Sequence, residues 1–384
     1  MRKVLAYALT ATLSPAIAVA YGLARLLRGA RPYPGSLART HRWYRLALPA
    51  DRARSSDGSP YAVYLRKGTL NRLVVFFSGG GVSWDGYTAA RPITPATLLN
   101  GEDAYYFPAV HGYLELMNGG ILAANDRRNP FNDWSFILLP YSTADFHVGN
   151  GTFAYRDRRG RDRVLYHWGA RNVRAALEVA APLFGSPEQL LIAGESAGAF
   201  GCVAQAPEVL KHFPGCNKVA IYSDSGQLFW PQWREVVRDV WKADPAHWEC
   251  ITSGGNLILD WFRWLYGQLG DRAIYLQSCS VHDGILSTFQ SKMNHGAFVC
   301  DRRAISEFTL HLGETVRTLS REVPGYRYYL SNEGQSPRDG STPHTVCRYG
   351  RFYSAGPQGV SVAAWLEDAV NGGRLYSVGE GLVP

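Results

Sequence analysis

Charge is scarce in this chain: only 19% of its 384 residues are Asp, Glu, Lys or Arg, while 46% are hydrophobic. That balance excludes a disordered or tail-like protein, which needs the reverse. Past residue 23 no second apolar run long enough to span a bilayer as a helix is evident. Cysteine is absent from the first 201 residues, and no C-x-x-C pair occurs anywhere, which leaves no zinc ribbon. The net charge is +8, yet the basic residues are dispersed among acids. The run Arg156-Asp157-Arg158-Arg159-Gly160-Arg161-Asp162-Arg163 reads as a solvated loop. With no recognition-helix or zinc-finger spacing, nucleic acid is not an expected partner.

The two ends of the basic residue distribution differ. Arg2 and Lys3 precede an apolar stretch over residues 4–23, and Ala18-Val19-Ala20 offers a small-x-small cleavage site. This is the three-part pattern of a signal peptide. The stretch is nearly long enough to be an uncleaved membrane anchor instead, and Arg25, Arg28 and Arg31 follow it closely. Residues 1–20 are therefore read as signal peptide or anchor of an exported protein, secreted or periplasmic. Residues 21–60 read as a basic lead-in punctuated by Pro and Gly. Residues 61–384 read as one catalytic domain, and a monomer is expected.

Residues 61–66 alternate weakly, as a strand does, and short apolar runs recur at 73–77, 136–139, 190–193, 219–222, 273–277 and 326–330. Helical spacing appears at 169–181, 197–209 and 362–370. Buried strands alternating with helices predict an α/β fold, a mostly parallel sheet with helices on both faces.

The chemistry centres on Gly194-Glu195-Ser196-Ala197-Gly198, a G-x-S-x-G between an apolar strand and a small-residue helix start. That setting is a nucleophile elbow: the glycines permit a sharp turn, and the turn presents the Ser196 hydroxyl at a helix N-terminus. The bland alternative is a tight turn with Ser196 as a helix cap. A serine nucleophile needs a base, and the base an orienting acid, in the order Ser, acid, His. Six His follow Ser196. His344, in a loop after the 326–330 strand, is the best base. Asp283 and Asp224 both follow strands, and chain order does not separate them. Gly79-Gly80-Gly81, after the first central strand, offers backbone N–H groups for an oxyanion, and the N–H of Ala197 offers another. The loop lacks the Lys-Ser/Thr of a phosphate-binding P-loop.

Five ordered segments resemble the pectin acetylesterase family, which also holds the Notum-type carboxylesterases: Phe77-Ser78-Gly79-Gly80-Gly81-Val82, the stretch from Leu139 through Tyr141, Asp145 and His147 to Gly149, the elbow at 194–198, Ser223-Asp224-Ser225-Gly226, and the loop at Asp283. They spread over about residues 60–350. The resemblance implies a triad of Ser196, Asp283 and His344, and oxyanion positions at Gly81, Val82 and Ala197. It brings Gly80, Trp84, Tyr141, Asp145, His147, Asp224 and Gly226 towards the pocket. Two departures stand out. Val82-Ser83 replaces the family's Trp-Cys, with Trp84 two positions on as a substitute aromatic. Glu195 stands where plant members favour Cys.

The resemblance implies a serine carboxylester hydrolase that removes short acyl groups, acetyl above all, from a small molecule or a polysaccharide such as pectin, with no metal or organic cofactor. The alternatives are a lipase-like or polyester-cleaving esterase of the same fold, or a noncatalytic binding protein on this scaffold. If Asp283 and His344 pair, their loops meet, and a Cys279–Cys347 disulfide is expected there. Cys202–Cys216 and Cys250–Cys300 then remain as the other bridges.

Overall fold

The computed structural model of the protein describes residues 30–94, 96–97, 100–110 and 119–384. The stretch read as signal peptide or anchor lies outside them. Among the described residues no helix is long and apolar enough to cross a membrane.

Nine strands form one sheet. In chain order they are β1 (Arg31–Pro32), β2 (Trp43–Ala47), β3 (Ala62–Arg66), β4 (Arg72–Phe77), β5 (Ser135–Leu139), β8 (Gln189–Glu195), β9 (Val219–Asp224), β10 (Ala273–Ser280) and β11 (Tyr326–Ser331). Their spatial order is β1-β2-β3-β5-β4-β8-β9-β10-β11. From β5 through β11 every pairing is parallel, and β3 joins antiparallel to both β2 and β5. β6 (Gly151–Arg156) and β7 (Asp162–His167) make a separate antiparallel hairpin.

The apolar runs are continuous because both faces of the sheet are covered. Alternate side chains divide between two cores. Leu73, Val75 and Phe77 of β4 enter one core with Ile137 and Ile192, whereas Val74 and Phe76 enter the other with Phe136 and Leu191. The first core is roofed by α1 (Gly169–Ala180), α2 (Ala197–Ala204), α3 (Ala206–Lys211), α4 (Leu257–Leu269), α5 (Gly284–His295) and α6 (Arg302–Glu322). Val173 and Leu177 of α1, Phe200 of α2, Trp261 of α4 and Leu312 of α6 all bury there. The second core is closed by α7 (Val362–Val370) through Trp365 and Leu366, with Ile121 and Trp134. This is an α/β-hydrolase-type fold with a mostly parallel sheet.

Three stretches differ from the sequence reading. The helix expected over 197–209 breaks at Gln205, whose ψ is 2°. Pro207 lacks an N–H and its ring would clash with the preceding turn, so a new helix starts there. The lead-in contributes β1 and β2, so regular structure begins well before residue 61. The charged run at 156–163 is the tip of the β6–β7 hairpin, closed by the Asp157 N–H to the Arg161 carbonyl.

Candidate active site

Parallel strands bring their carboxyl ends to one edge of the sheet, where ligand sites of α/β folds form. Here β4 runs into Gly79-Gly80-Gly81, β8 into Ser196, β9 into Asp224, β10 into the Asp283 loop and β11 into the loop carrying His344.

Ser196 sits at φ 54° and ψ −123°, between β8 and α2. A side chain rarely holds that conformation unless its surroundings impose it. They do so by close backbone approach. A Cβ on Gly194 would lie 2.0 Å from the Gly198 carbonyl oxygen, one on Gly198 would lie 2.0 Å from the Phe77 oxygen, and one on Gly79 would lie 2.5 Å from the Ser196 Cβ. The Ser196 N–H donates to the Asp224 carbonyl at 2.8 Å, and Ser196 makes no side-chain cap bond to α2. Its hydroxyl is thus not used as a helix cap.

His344 Nδ1 lies 2.6 Å from Asp283 Oδ2. The other carboxylate oxygen accepts the N–H groups of Ile285 and Leu286 at the start of α5, which fixes its orientation. The loops meet through backbone bonds: Thr342 N–H to the His282 carbonyl, and Gly284 N–H to the Thr342 carbonyl. Since the carboxylate accepts, Nδ1 carries the proton and Nε2 is left as a buried base with no hydrogen-bond partner among the described residues. Burial lowers the imidazole's pKa, but the negative charges of Asp283, Asp224 and Glu195 outweigh it, and the net shift is upward from 6.5. Arg351 holds the loop by donating to the His344 carbonyl at 2.8 Å. Other histidines after Ser196 are committed elsewhere: His247 to the Ala204 carbonyl, His282 to Gln335, His295 to Glu307 and His311 to Gln290.

Asp224 is fully buried and spans nucleophile and base. Its carbonyl takes the Ser196 N–H, while its carboxylate takes the N–H groups of Val346 and Cys347 at 3.0 and 2.9 Å and the Ser278 hydroxyl at 2.8 Å. It does not contact the His344 ring by any hydrogen bond among the described residues.

The oxyanion assignment at Val82 needs correction. Its N–H donates to the Tyr105 carbonyl at 2.8 Å, as part of a short bridge between Gly81 and Tyr106. A glycine is required at 81, where φ is +84° and a Cβ would lie 1.9 Å from the Tyr105 oxygen. The N–H groups of Gly80, Gly81 and Ala197 donate to no carbonyl among the described residues, so they are the donors available.

Several residues expected at the pocket are committed to buried contacts. His147 is 2% exposed and donates from Nε2 to the Ser78 carbonyl at 3.0 Å, propping the glycine loop from below. Burial pulls its pKa down to about 4. Asp145 is fully buried, accepts from the Thr143 hydroxyl and the N–H groups of His147 and Gly169, and is pushed up by burial to about 7. Tyr141 takes the Phe146 N–H on its hydroxyl and presses against His147. Gly226 packs on α2, where a Cβ would lie 2.7 Å from the Ala199 Cβ. Trp84 is buried in an aromatic wall with Tyr105, Trp230 and Phe289. Gly80 lies against Tyr141 and Phe107.

A groove of about 610 Å³ opens beside the acid loop, lined by His282, Arg302, Thr309, Gln335 and Arg338 among others. Among the described residues no group of three or more His, Cys, Asp or Glu side chains is placed to hold a metal ion.

None of the expected disulfides is present among the described residues. The Sγ atoms of Cys202, Cys216, Cys250 and Cys279 donate instead to the carbonyls of Ala199, Lys218, His247 and Ser280. Burial holds the thiols of Cys279 and Cys347 well above the usual range.

Sequence reasoning missed the Tyr105 carbonyl and the salt bridge from Arg348 to Glu195. Nothing in the local sequence around Arg348 marks it as a partner of a residue 153 positions earlier.

No curated protein sequence matches the chain. A solved structure, that of the Wnt deacylase Notum from Drosophila, superposes with a TM-score of 0.59 at 18% identity, covering 85% of this chain and 92% of that one. That likeness establishes the fold. Residues 46–230, which carry the glycine loop, the elbow and Asp224, match the model of the Pectinacetylesterase family. The match supports a hydrolytic esterase, and over that span the chain is similar to the pectinacetylesterase family.

Proposed function

We propose that the protein is an exported serine carboxylester hydrolase that removes short acyl groups, acetyl above all, from a hydroxyl-rich alcohol such as a pectin-type polysaccharide. The observation that carries this reading is the pairing of His344 Nδ1 with Asp283 at 2.6 Å, which leaves Nε2 buried and unprotonated on the loop tied to the Ser196 elbow. In the first step His344 Nε2 takes the Ser196 proton while Oγ attacks the ester carbonyl. The N–H groups of Ala197 and the glycine loop stabilise the oxyanion as it forms. His344 then returns its proton to the leaving alcohol. Water repeats the cycle on the acyl-enzyme and releases the acid, so no cofactor is required. Ser196 makes no side-chain cap bond to α2, so its hydroxyl is left for the substrate, in accord with catalytic bonds that tighten only when substrate binds.

Support for a short acyl group comes from the packed wall of Trp84, Tyr105 and Phe289, all at most 8% exposed. It stands three residues past the glycine loop and on α5, the helix capped by Asp283. The hydroxyl, amide and guanidinium groups lining the groove by the acid loop suit a carbohydrate alcohol. A second reading, deacylation of a protein-linked acyl group, is favoured by the fold shared with a Wnt deacylase. A panel of esters from acetyl to palmitoyl, with acetylated pectin and xylan, separates them. The first reading expects kcat/KM to fall steeply beyond roughly four carbons, because each misfitting methylene costs about 1–3 kcal/mol. Faster turnover of palmitoyl than acetyl esters contradicts it.

A further inference from the structure

Glu195 directly precedes Ser196 at the end of β8, and Arg348 follows His344 by four residues. The Arg348 guanidinium donates through Nη1 to Glu195 Oε1. The two residues are 5% and 8% exposed, so the ion pair is nearly shut off from water. We propose that the Glu195–Arg348 pair is a positioning device for the esterase reaction, fixing the base-carrying loop to the nucleophile elbow and setting the charge that His344 feels; this rests on the assignment of Ser196 and His344 given above.

Three observations carry it. The pair joins the two segments that must meet for proton transfer, from the residue next to the nucleophile to the residue four beyond the base. It is parallel to the Asp224 clamp: Asp224 grips the loop at Val346 and Cys347, and Glu195 grips it one residue further on. Its charge also reaches the base. The charges acting on His344 are Asp283 from the acid loop, Asp224 from β9 and Glu195 from β8, with Arg351 donating to its carbonyl and Arg348 tied to Glu195. Among these, Glu195 is a negative charge balanced by a single cation that travels with the base loop.

Burying an ion pair is costly, and a fold seeking stability alone does as well with apolar side chains of the same volume. What a buried pair supplies is a fixed register between two segments. A base displaced by 1 Å costs about 100-fold in rate, which is the scale on which such a register matters.

The test compares Glu195→Gln, the double variant E195Q/R348M, Ser196→Ala and the wild type on acetyl esters, with thermal melts to show which are folded. Glu195→Gln leaves the Arg348 cation unbalanced near His344. It is expected to lower kcat about 10- to 100-fold, to change KM less than about threefold, and to move the acid limb of the kcat/KM profile to lower pH. The double variant removes the stray cation and is expected to return the limb more than halfway to the wild-type position while kcat stays low. A folded Glu195→Gln enzyme with wild-type kcat and an unmoved limb overturns the proposal, as does a double variant whose limb moves further than the single one. Loss of folding in both variants overturns it too, by making the pair a stability element. Ser196→Ala separates the two levels: wild-type turnover there sinks the esterase assignment itself, whereas an inert Ser196→Ala beside an unchanged Glu195→Gln sinks only the pair.

Discussion

The carbonyl of Asp224 accepts the N–H of Ser196 at 2.8 Å, so the strained turn that presents the hydroxyl is anchored to the neighbouring strand. The carboxylate of the same residue faces the other way and holds the loop two and three residues past His344. Asp224 is thus a hinge pin between nucleophile and base, while Asp283 orients the imidazole directly. The two acids have different jobs, and their variants are expected to fail differently.

Asp283→Asn removes the acceptor that fixes the imidazole tautomer. It is expected to cut kcat by about 10⁴, the loss known for the acid of a serine protease triad. Asp224→Asn keeps the carbonyl bond to Ser196 and one side-chain acceptor, and is expected to cost about 10- to 100-fold by loosening the loop. Steady-state kcat for both decides the matter; the reverse order of severity contradicts the assignment.

The pH profile follows from the His344 shift. Burial lowers its pKa, and the carboxylates of Asp283, Asp224 and Glu195 raise it more, so the net movement is above 6.5. The base works only when neutral. Activity is therefore expected to be lost on the acid side with a midpoint above pH 6.5, and Asp283→Asn is expected to shift that midpoint down. A kcat/KM profile flat from pH 8 to pH 6 is the contrary result.

Gly79 has no room for a methyl group. Its Cβ would sit 2.5 Å from the Ser196 Cβ and 2.7 Å from the Glu195 carbonyl oxygen, and neither can yield without moving the elbow. Gly79→Ala is expected to lower kcat at least about 100-fold on the scale of a misplaced nucleophile. Gly86→Ala, where a Cβ meets nothing within 4 Å, is the control expected to keep wild-type turnover.

The supports beneath the site impose their own pH dependence. His147 and His167 are buried neutral, with burial pulling them down to about 4 and about 3. The unfolded chain protonates them near 6.5, so their contribution to stability is complete above that pH and is lost as pH falls towards 4. For His147 the loss is on the order of 3 kcal/mol across that window. Asp145, raised by burial to about 7, acts in the opposite sense between pH 4 and 7 and offsets part of the combined loss from the two histidines. Melting temperature is expected to fall from pH 6.5 to pH 4.5, and His147→Gln to flatten the slope. An equal slope in both proteins removes His147 from the account.

Much of this was legible in the sequence for one physical reason: a strand buried on both faces must be apolar throughout, so runs such as Leu73 to Phe77 stand out and end where the site begins. The elbow was legible because its glycines answer to backbone contacts that no other residue permits. Strands β2, β6 and β7 were not, since β2 and β7 mix buried positions with exposed and charged ones and β6 alternates between half-buried and exposed positions. The roles of His147 and Asp145 were misplaced for a related reason. A motif marks residues that must be kept, and buried props are kept as firmly as residues that touch substrate. Whether Val82 or Gly80 supplies the oxyanion donor depends on the Tyr105 carbonyl, brought in by a long-range bridge that no local pattern announces.

The most direct test of the central claim is covalent. The purified protein is treated with a fluorophosphonate, which reacts with an activated serine, and the modified peptide is identified by mass spectrometry. The account predicts a single adduct on Ser196, formed in step with loss of acetylesterase activity, and neither adduct nor activity in Ser196→Ala. An adduct on another residue, or undiminished hydrolysis by Ser196→Ala, contradicts it.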